Sequence, residues 1–254
     1  MISERVLARS FSGFWTELLP LLTPSFVHMF NEVYRNVLID ERGGDYGEPV
    51  EKATDVGDSA FIAEVAFYLA KLATQRATSV IAACEDTALV SSAVHLASAT
   101  VAAYESDARE LHSALTDGEH HEVLSLAQNY DLFFRIRSEG KPIVFNPRIP
   151  GAGFIASCEA DIAIADTIYE VKTITRNIAS KDIRQLLIYL ALQAATGERL
   201  WIKAGFFNPR RAILHEFYVD DLISRMSGGR FAVEVFRDVI AFSLSRDLEV
   251  DAAF

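Results

Sequence analysis

Residues 159–173 read E-A-D-I-A-I-A-D-T-I-Y-E-V-K-T. Most of this run has the alternation and β-branched content of a hairpin. Yet Asp161, Glu170 and Lys172 stand where a buried strand favours apolar side chains. With a two-residue turn at Asp166-Thr167, residue 165 faces 168, 163 faces 170 and 161 faces 172. Side chains alternate along a strand and opposite partners share a face. Asp161, Glu170 and Lys172 therefore converge on one face, with Ala163 and Ala165 leaving room beside them. Ile162, Ile164, Tyr169 and Val171 take the other face and are expected in the core.

Two carboxylates and an ammonium are costly to bury unless something pairs with them. Two carboxylates facing one space suit a hard cation, Mg²⁺ or Mn²⁺. A lysine beside that cation positions or deprotonates a water and offsets charge at a phosphoryl centre. A helix expected at about residues 180–196 places Gln185 and Tyr189 on one face, at i and i+4. Lys181 and Arg184 fall near its start, where phosphate is favoured. The plainer reading, a solvated ion-pair cluster, contributes little energy and leaves Gln185 unexplained. Glu159, also on the Asp161 face, reads as a strand-edge charge.

These residues resemble the PD-(D/E)XK nuclease superfamily, and most closely its RecB-like branch. The likeness rests on Asp161, then Glu170-Val171-Lys172 after eight intervening residues, then Q-L-L-I-Y at 185–189. It extends to F-N-P-R-I-P-G at 145–151 and G-F-F-N-P-R-R at 205–211, and covers roughly residues 119–222. Ala160 stands where the superfamily's eponymous proline would be. The resemblance implies a restriction-endonuclease-like mixed β-sheet flanked by helices. It implies Asp161 and Glu170 as metal ligands, Lys172 as the catalytic lysine, and Gln185 and Tyr189 as further site residues of the branch. A further acid is usual on the helix before the core. Glu122 in H-H-E-V-L-S-L-A-Q fits that place best and Glu119 second. Branch members that hold an iron–sulfur cluster use four cysteines, and this chain has only Cys84 and Cys158.

Outward from the hairpin, the chain changes character near residue 119. Residues 1–38 are apolar with three- and four-residue spacing (Phe11, Phe14, Trp15, Leu18, then Phe26, Met29, Phe30, Val33) and a break at Pro24, the pattern of amphipathic helices. Residues 39–58 are rich in Gly and acid and read as a loop. Residues 59–115 are Ala-rich and read as two or three helices. The expectation is an all-helical region 1–118 and a nuclease-like domain 119–254. The latter has strands at 142–145, 199–207 and 212–219, a helix near 221–226 and a strand-then-helix tail. The fold class is α/β or α+β.

The net charge of −11 is unevenly spread. Residues 1–129 hold 8 Lys/Arg against 19 Asp/Glu, residues 130–215 hold 12 against 8, and residues 216–254 hold 4 against 8. The positive segment surrounds the hairpin, and a local basic patch holds a polyanion even on an acidic protein. Arg210 and Arg211 are candidates for phosphate contact there, or for a charged hairpin tip. Adjacent His120 and His121 point apart on a helix and read as a solvated helix start. Cys158 reads as a small buried strand residue.

No P-loop signature occurs. No secretory leader is expected from Met1–Ser10, and Thr87–Tyr104 is too rich in Ser, Thr and Ala for a membrane span. Two cysteines fit a reducing, cytoplasmic setting. The functional expectation is a Mg²⁺- or Mn²⁺-dependent nuclease acting on nucleic acid, DNA favoured, with roles in antiphage defence or repair by analogy alone. The alternative is a catalytically silent nuclease-fold subunit that binds nucleic acid or a protein partner. The acidic helices of 1–118 would serve as a homodimer or partner interface in either case.

Overall fold

The computed structural model describes residues 1–53, 59–104, 115–198 and 201–245. Its elements run α1 (Glu4–Arg9), α2 (Ser12–Leu18), α3 (Pro24–Val33), β1 (Arg35–Val37), β2 (Ile39–Asp40), β3 (Asp45–Tyr46), α4 (Ser59–Gln75), α5 (Val80–Glu85), α6 (Thr87–Tyr104) and α7 (Asp117–Ser138). They continue with β4 (Ile143–Phe145), β5 (Arg148–Ile149), β6 (Cys158–Glu159), β7 (Ile162–Ile164), β8 (Thr167–Val171), α8 (Ser180–Ala195), β9 (Lys203–Asn208), β10 (Ile213–Tyr218), α9 (Val219–Ser227) and α10 (Ala232–Leu244). The class is mixed α/β, as expected.

A six-stranded sheet in the order β1-β10-β9-β8-β7-β4 forms the centre. Only β8 and β9 run parallel, and α8 makes the crossover that a parallel pair requires. Alternation along the strands builds two cores. Ile168, Ala204, Phe206 and Phe217 pack with α1–α3 and α8–α10. Ile162, Ile164, Tyr169, Phe207 and Leu214 pack with α4–α7. Helix α8 is buried nearly all round, from Ile183 to Gln193, as befits a helix between a sheet and a second helical layer.

The chain does not change layer at residue 118. Strand β1 extends the sheet as the neighbour of β10, with Arg35 opposite His215 and Val37 opposite Ile213. Leu7, Trp15 and Leu18 lie in the same core as α8, and α4 packs on α7. Residues 1–118 are therefore not a separate all-helical region. Pro24 opens α3 rather than breaking a helix: Thr23 caps it by accepting from the Phe26 N–H (3.2 Å), and proline at the first position costs no intrahelical bond. Residues 39–46 form the small β2–β3 hairpin, while 54–58 of the expected loop lie outside the described residues. The expected tail strand is absent among the described residues, where α9 and α10 follow β10 directly. The start of the strand expected at 199–207 also falls outside them; the strand described begins at Lys203.

The hairpin register differs from the expected one. Its turn is Ala165-Asp166, with Ala165 in the left-handed region (φ 54°), and Ile164 pairs with Thr167, Ala163 with Ile168 and Ile162 with Tyr169. This is a slip of two residues. Because strand alternation has a period of two, a slip of two leaves every side chain on its face. Asp161, Glu170 and Lys172 still share one, opposite Ile162, Ile164 and Tyr169. Ala165 no longer stands beside them, since it makes the turn. Among the described residues, no helix is long and apolar enough to cross a membrane.

Candidate functional site

Strand β8 ends at Val171, and its parallel ladder continues one residue further through Lys172 N–H to the Phe207 carbonyl (2.8 Å). The backbone of Lys172 is thereby fixed at the strand's carboxyl end. Its ammonium donates to Glu170 Oε1 (2.8 Å) and to Gln185 Oε1 on α8 (2.9 Å). The Gln185 amide nitrogen donates in turn to the Tyr189 hydroxyl (2.8 Å) and to Glu4 Oε1 on α1 (3.3 Å). The Tyr189 hydroxyl reaches the same Glu4 oxygen at 3.5 Å. Across the hairpin, Asp161 Oδ2 accepts the Val171 N–H at 2.6 Å, which ties its carboxylate to the strand beside Glu170.

Glu170 is only 2 % exposed, and its second oxygen, Oε2, is buried without a hydrogen-bond partner. A buried carboxylate oxygen left unpaired is costly and rare. The surroundings add negative charge rather than relieving it. Burial and then the Glu170 charge hold the Asp161 carboxyl well above the usual carboxylate range, against the Val171 N–H and Lys172. Burial also raises Glu64, opposed by Arg5 and reinforced by Glu170. The Tyr189 hydroxyl is pushed far up by burial and by Glu170, Asp161 and Glu4, so it stays protonated and serves as a donor. Burial with Glu4, Glu170 and Glu159 around it raises the Cys158 thiol to about 12, which makes it a poor nucleophile.

The cluster opens into a cleft of about 720 Å³ past the end of β8, between α1 and α8 on one side and α4 and α6 on the other. Lys181 and Arg176 line it from the core, and Arg5 and Arg9, at i and i+4 on α1, line it from the N-terminal helix. Arg176 is held by a two-pronged pair with Asp182 (2.6 and 3.0 Å). Cationic groups thus rim a cleft whose floor is acidic.

No protein-family model, curated protein or solved structure matches this chain.

Of the expected site residues, Asp161, Glu170, Lys172, Gln185 and Tyr189 come together and Lys181 lines the same cleft. The others do not join them. Glu122 ion-pairs with Arg210, which is itself 2 % exposed, and accepts the Ala53 N–H at 2.7 Å. Glu122 lines a different depression, of about 840 Å³, from α7. Glu122 is not placed to share a cation with Asp161, and Arg210 is not a surface contact for phosphate. Arg211 donates to Asn177 Oδ1 (2.7 Å). Arg184 lies over the Trp15 ring, 5.6 Å from its centroid, outside the cleft. Glu119 completes a capping box with Thr116 at the start of α7. His120 Nε2 donates to the Cys84 carbonyl (3.1 Å), and Glu159 pairs loosely with Arg148 (3.7 Å).

Two acids were missed. Glu64 on α4 lines the same cleft as Asp161 and Glu170. Its signal is in S-A-F-I-A-E-V-A-F-Y-L-A-K, residues 59–71, where it is the lone charge before Lys71. Glu4 had no signal: an acid in the first turn of a helix is ordinary there, and its partner Gln185 is 181 residues away.

The donors fit a hard divalent cation. Among the described residues, no group of three or more His, Cys, Asp and Glu side chains is poised to hold a metal ion. Mg²⁺, however, keeps most of its waters and commonly binds through one or two carboxylates. The unpaired Glu170 Oε2 and the raised Asp161 carboxyl both mark a point short of positive charge.

Proposed function

We propose that the cleft at the end of β8 is the active site of a Mg²⁺- or Mn²⁺-dependent nuclease that hydrolyses phosphodiester bonds, with DNA as substrate. One observation carries the reading: a lysine fixed between a buried glutamate and a glutamine, beside a second acid, with one glutamate oxygen unpaired, at a cleft rimmed by cations. In this reading Asp161 and Glu170 hold the cation, with Glu64 across the cleft. When bound, such a cation stabilises charge on phosphoryl oxygens and lowers the pKa of a water. Lys172, kept in place by Glu170 and Gln185, presents its remaining N–H to a water or a phosphate oxygen. Arg5, Arg9, Arg176 and Lys181 bind the flanking phosphates, so affinity falls with salt.

Purified protein is incubated with linear duplex DNA, single-stranded DNA and RNA, with Mg²⁺, with Mn²⁺ and with chelator. Cation-dependent cleavage that disappears in Lys172→Ala supports the proposal. Equal cleavage by the variant, or cleavage in chelator, refutes it.

A second reading, a silent subunit that binds nucleic acid or a protein partner, draws support from one specific contact. Lys172 closes onto Glu170 and engages one of the two oxygens a cation would use. Nucleic-acid binding without cleavage under any cation would favour it.

A further inference from the structure

The Gln185 amide is chemically two-ended, and its environment is not symmetric. On one side stands the Lys172 ammonium, which only donates; on the other stand the Tyr189 hydroxyl and the Glu4 carboxylate. A carboxylate only accepts. With Glu4 in place, the amide has one orientation that satisfies all its neighbours: nitrogen toward Glu4 and Tyr189, oxygen toward Lys172. Turned over, it would set its oxygen against the Glu4 carboxylate and its N–H groups against the ammonium. Tyr189 alone does not impose this order, because a hydroxyl donates or accepts with equal ease. The direction of this chain of hydrogen bonds is thus set from both ends: Lys172 fixes the oxygen of the amide, and its nitrogen is held by Glu4. Glu4 is buried, and it is delivered by α1, whose N-terminal Ser3 accepts the Val6 N–H and whose Leu7 and Ala8 anchor it beside α8.

We propose that Glu4 is a positioning residue of this site, fixing the orientation of the Gln185 amide and through it the Lys172 ammonium. Its bearing on catalysis rests on the nuclease reading of the cleft. Outer residues that orient a catalytic group contribute about tenfold to a hundredfold. Glu4→Ala should lose that much in kcat, and because Glu4 also pairs with the rim residue Arg5 (3.5 Å), any change in KM is read beside that of Arg5→Ala. Glu4→Gln keeps an acceptor oxygen and the volume without the charge, and should fall between wild type and Glu4→Ala. In a Gln185→Ala background, Glu4→Ala should cost nothing further, since its effect passes through the amide. Additive losses, or a loss confined to KM, overturn the proposal.

A second measurement needs neither metal nor activity. In the ¹⁵N-labelled, metal-free protein, the Gln185 side-chain amide pair is identified by its disappearance in Gln185→Ala. Both protons are expected to exchange slowly with water in wild type, and at least about tenfold faster in Glu4→Ala and, to a lesser degree, in Glu4→Gln. An unchanged exchange rate in both variants overturns the proposal, and Glu4→Gln alone decides if Glu4→Ala does not fold. If wild type cleaves no nucleic acid with either cation while the amide loses protection in the Glu4 variants, the nuclease reading fails and the positioning role stands.

Discussion

Among the described residues, the two most deeply set pairs of opposite charge, Glu122–Arg210 and Glu170–Lys172, are built differently. Glu122 and Arg210 are closed on the acid side: both carboxylate oxygens are engaged, one by the guanidinium and one by the Ala53 N–H, and the guanidinium also reaches the Val50 carbonyl, though its Nε has no partner. Glu170 and Lys172 are open. One glutamate oxygen takes the ammonium, the other has no partner, and Asp161 adds a second acid that the Val171 N–H and the same lysine only partly offset. Both pairs cost desolvation. The closed pair recovers it within the chain and pins α7 to the β9–β10 turn. The open pair recovers it only if something enters from the cleft. Burial, charge and one unpartnered atom are shared by the two pairs; what separates them is that the unpartnered atom of Glu170 is an acceptor oxygen beside a second acid at a cleft, whereas that of Arg210 is a single N–H.

The largest expected break in this comparison is chemical. Asp161→Ala should lower cleavage about 10⁴-fold, equivalent to about 5 kcal/mol of transition-state stabilisation, with the far-ultraviolet circular dichroism of the folded protein retained. Residual cleavage within tenfold of wild type would remove Asp161 from the machinery. Next comes Arg210→Ala, which strands Glu122 in the interior. It should destabilise the fold by about 3–5 kcal/mol, read from the urea midpoint. A loss below about 1 kcal/mol would mean that water or another group reaches Glu122 and that the pair is not closed.

A smaller effect sharpens the contrast directly. A ligand at a hundred times its Kd stabilises a folded protein by about 2.7 kcal/mol. Saturating Mn²⁺ should raise the melting temperature of wild type accordingly, and raise that of Lys172→Ala by more, because the lysine no longer shares Glu170. Glu170→Gln should show no rise. Arg210→Ala should keep the wild-type increment, since nothing at the closed pair awaits a cation. Equal increments in wild type and Glu170→Gln would place the cation elsewhere.

What the sequence made legible follows the same division. The hairpin could be read because alternation is local: a register two residues out still left Asp161, Glu170 and Lys172 on one face and Ile162, Ile164 and Tyr169 on the other. Helix α8 could be read because Gln185 and Tyr189 interrupt an apolar run at one-turn spacing. Glu64 is the same kind of interruption in α4 and was within reach. Glu122 misled because position on the preceding helix does not fix what the residue meets; α7 presents it to Arg210. Arg210 misled because a hairpin tip is normally exposed, whereas Val50 and Ala53 from the N-terminal half cover this one. Glu4 and strand β1 depend on contacts across more than 170 residues, and no local pattern encodes those.

The smallest expected effect tests the face assignment itself. Asp166 lies five residues from Asp161, in the same hairpin and with the same charge, but in the turn and off the shared face. Among the described residues, its side chain hydrogen-bonds only the Thr167 hydroxyl, at 3.4 Å. The contacts that matter at this position are made by its carbonyl, which accepts the Ile202 N–H (2.9 Å) and the Lys203 N–H (3.2 Å) and survives truncation of the side chain. Asp166→Ala should therefore shift the unfolding free energy by no more than about 0.5 kcal/mol and leave the cleavage rate unchanged. Measured beside Asp161→Ala on the same DNA, it separates alternation from mere proximity. If the two alanine variants lose comparable activity, the chemistry sits at the turn and the shared face is not the site.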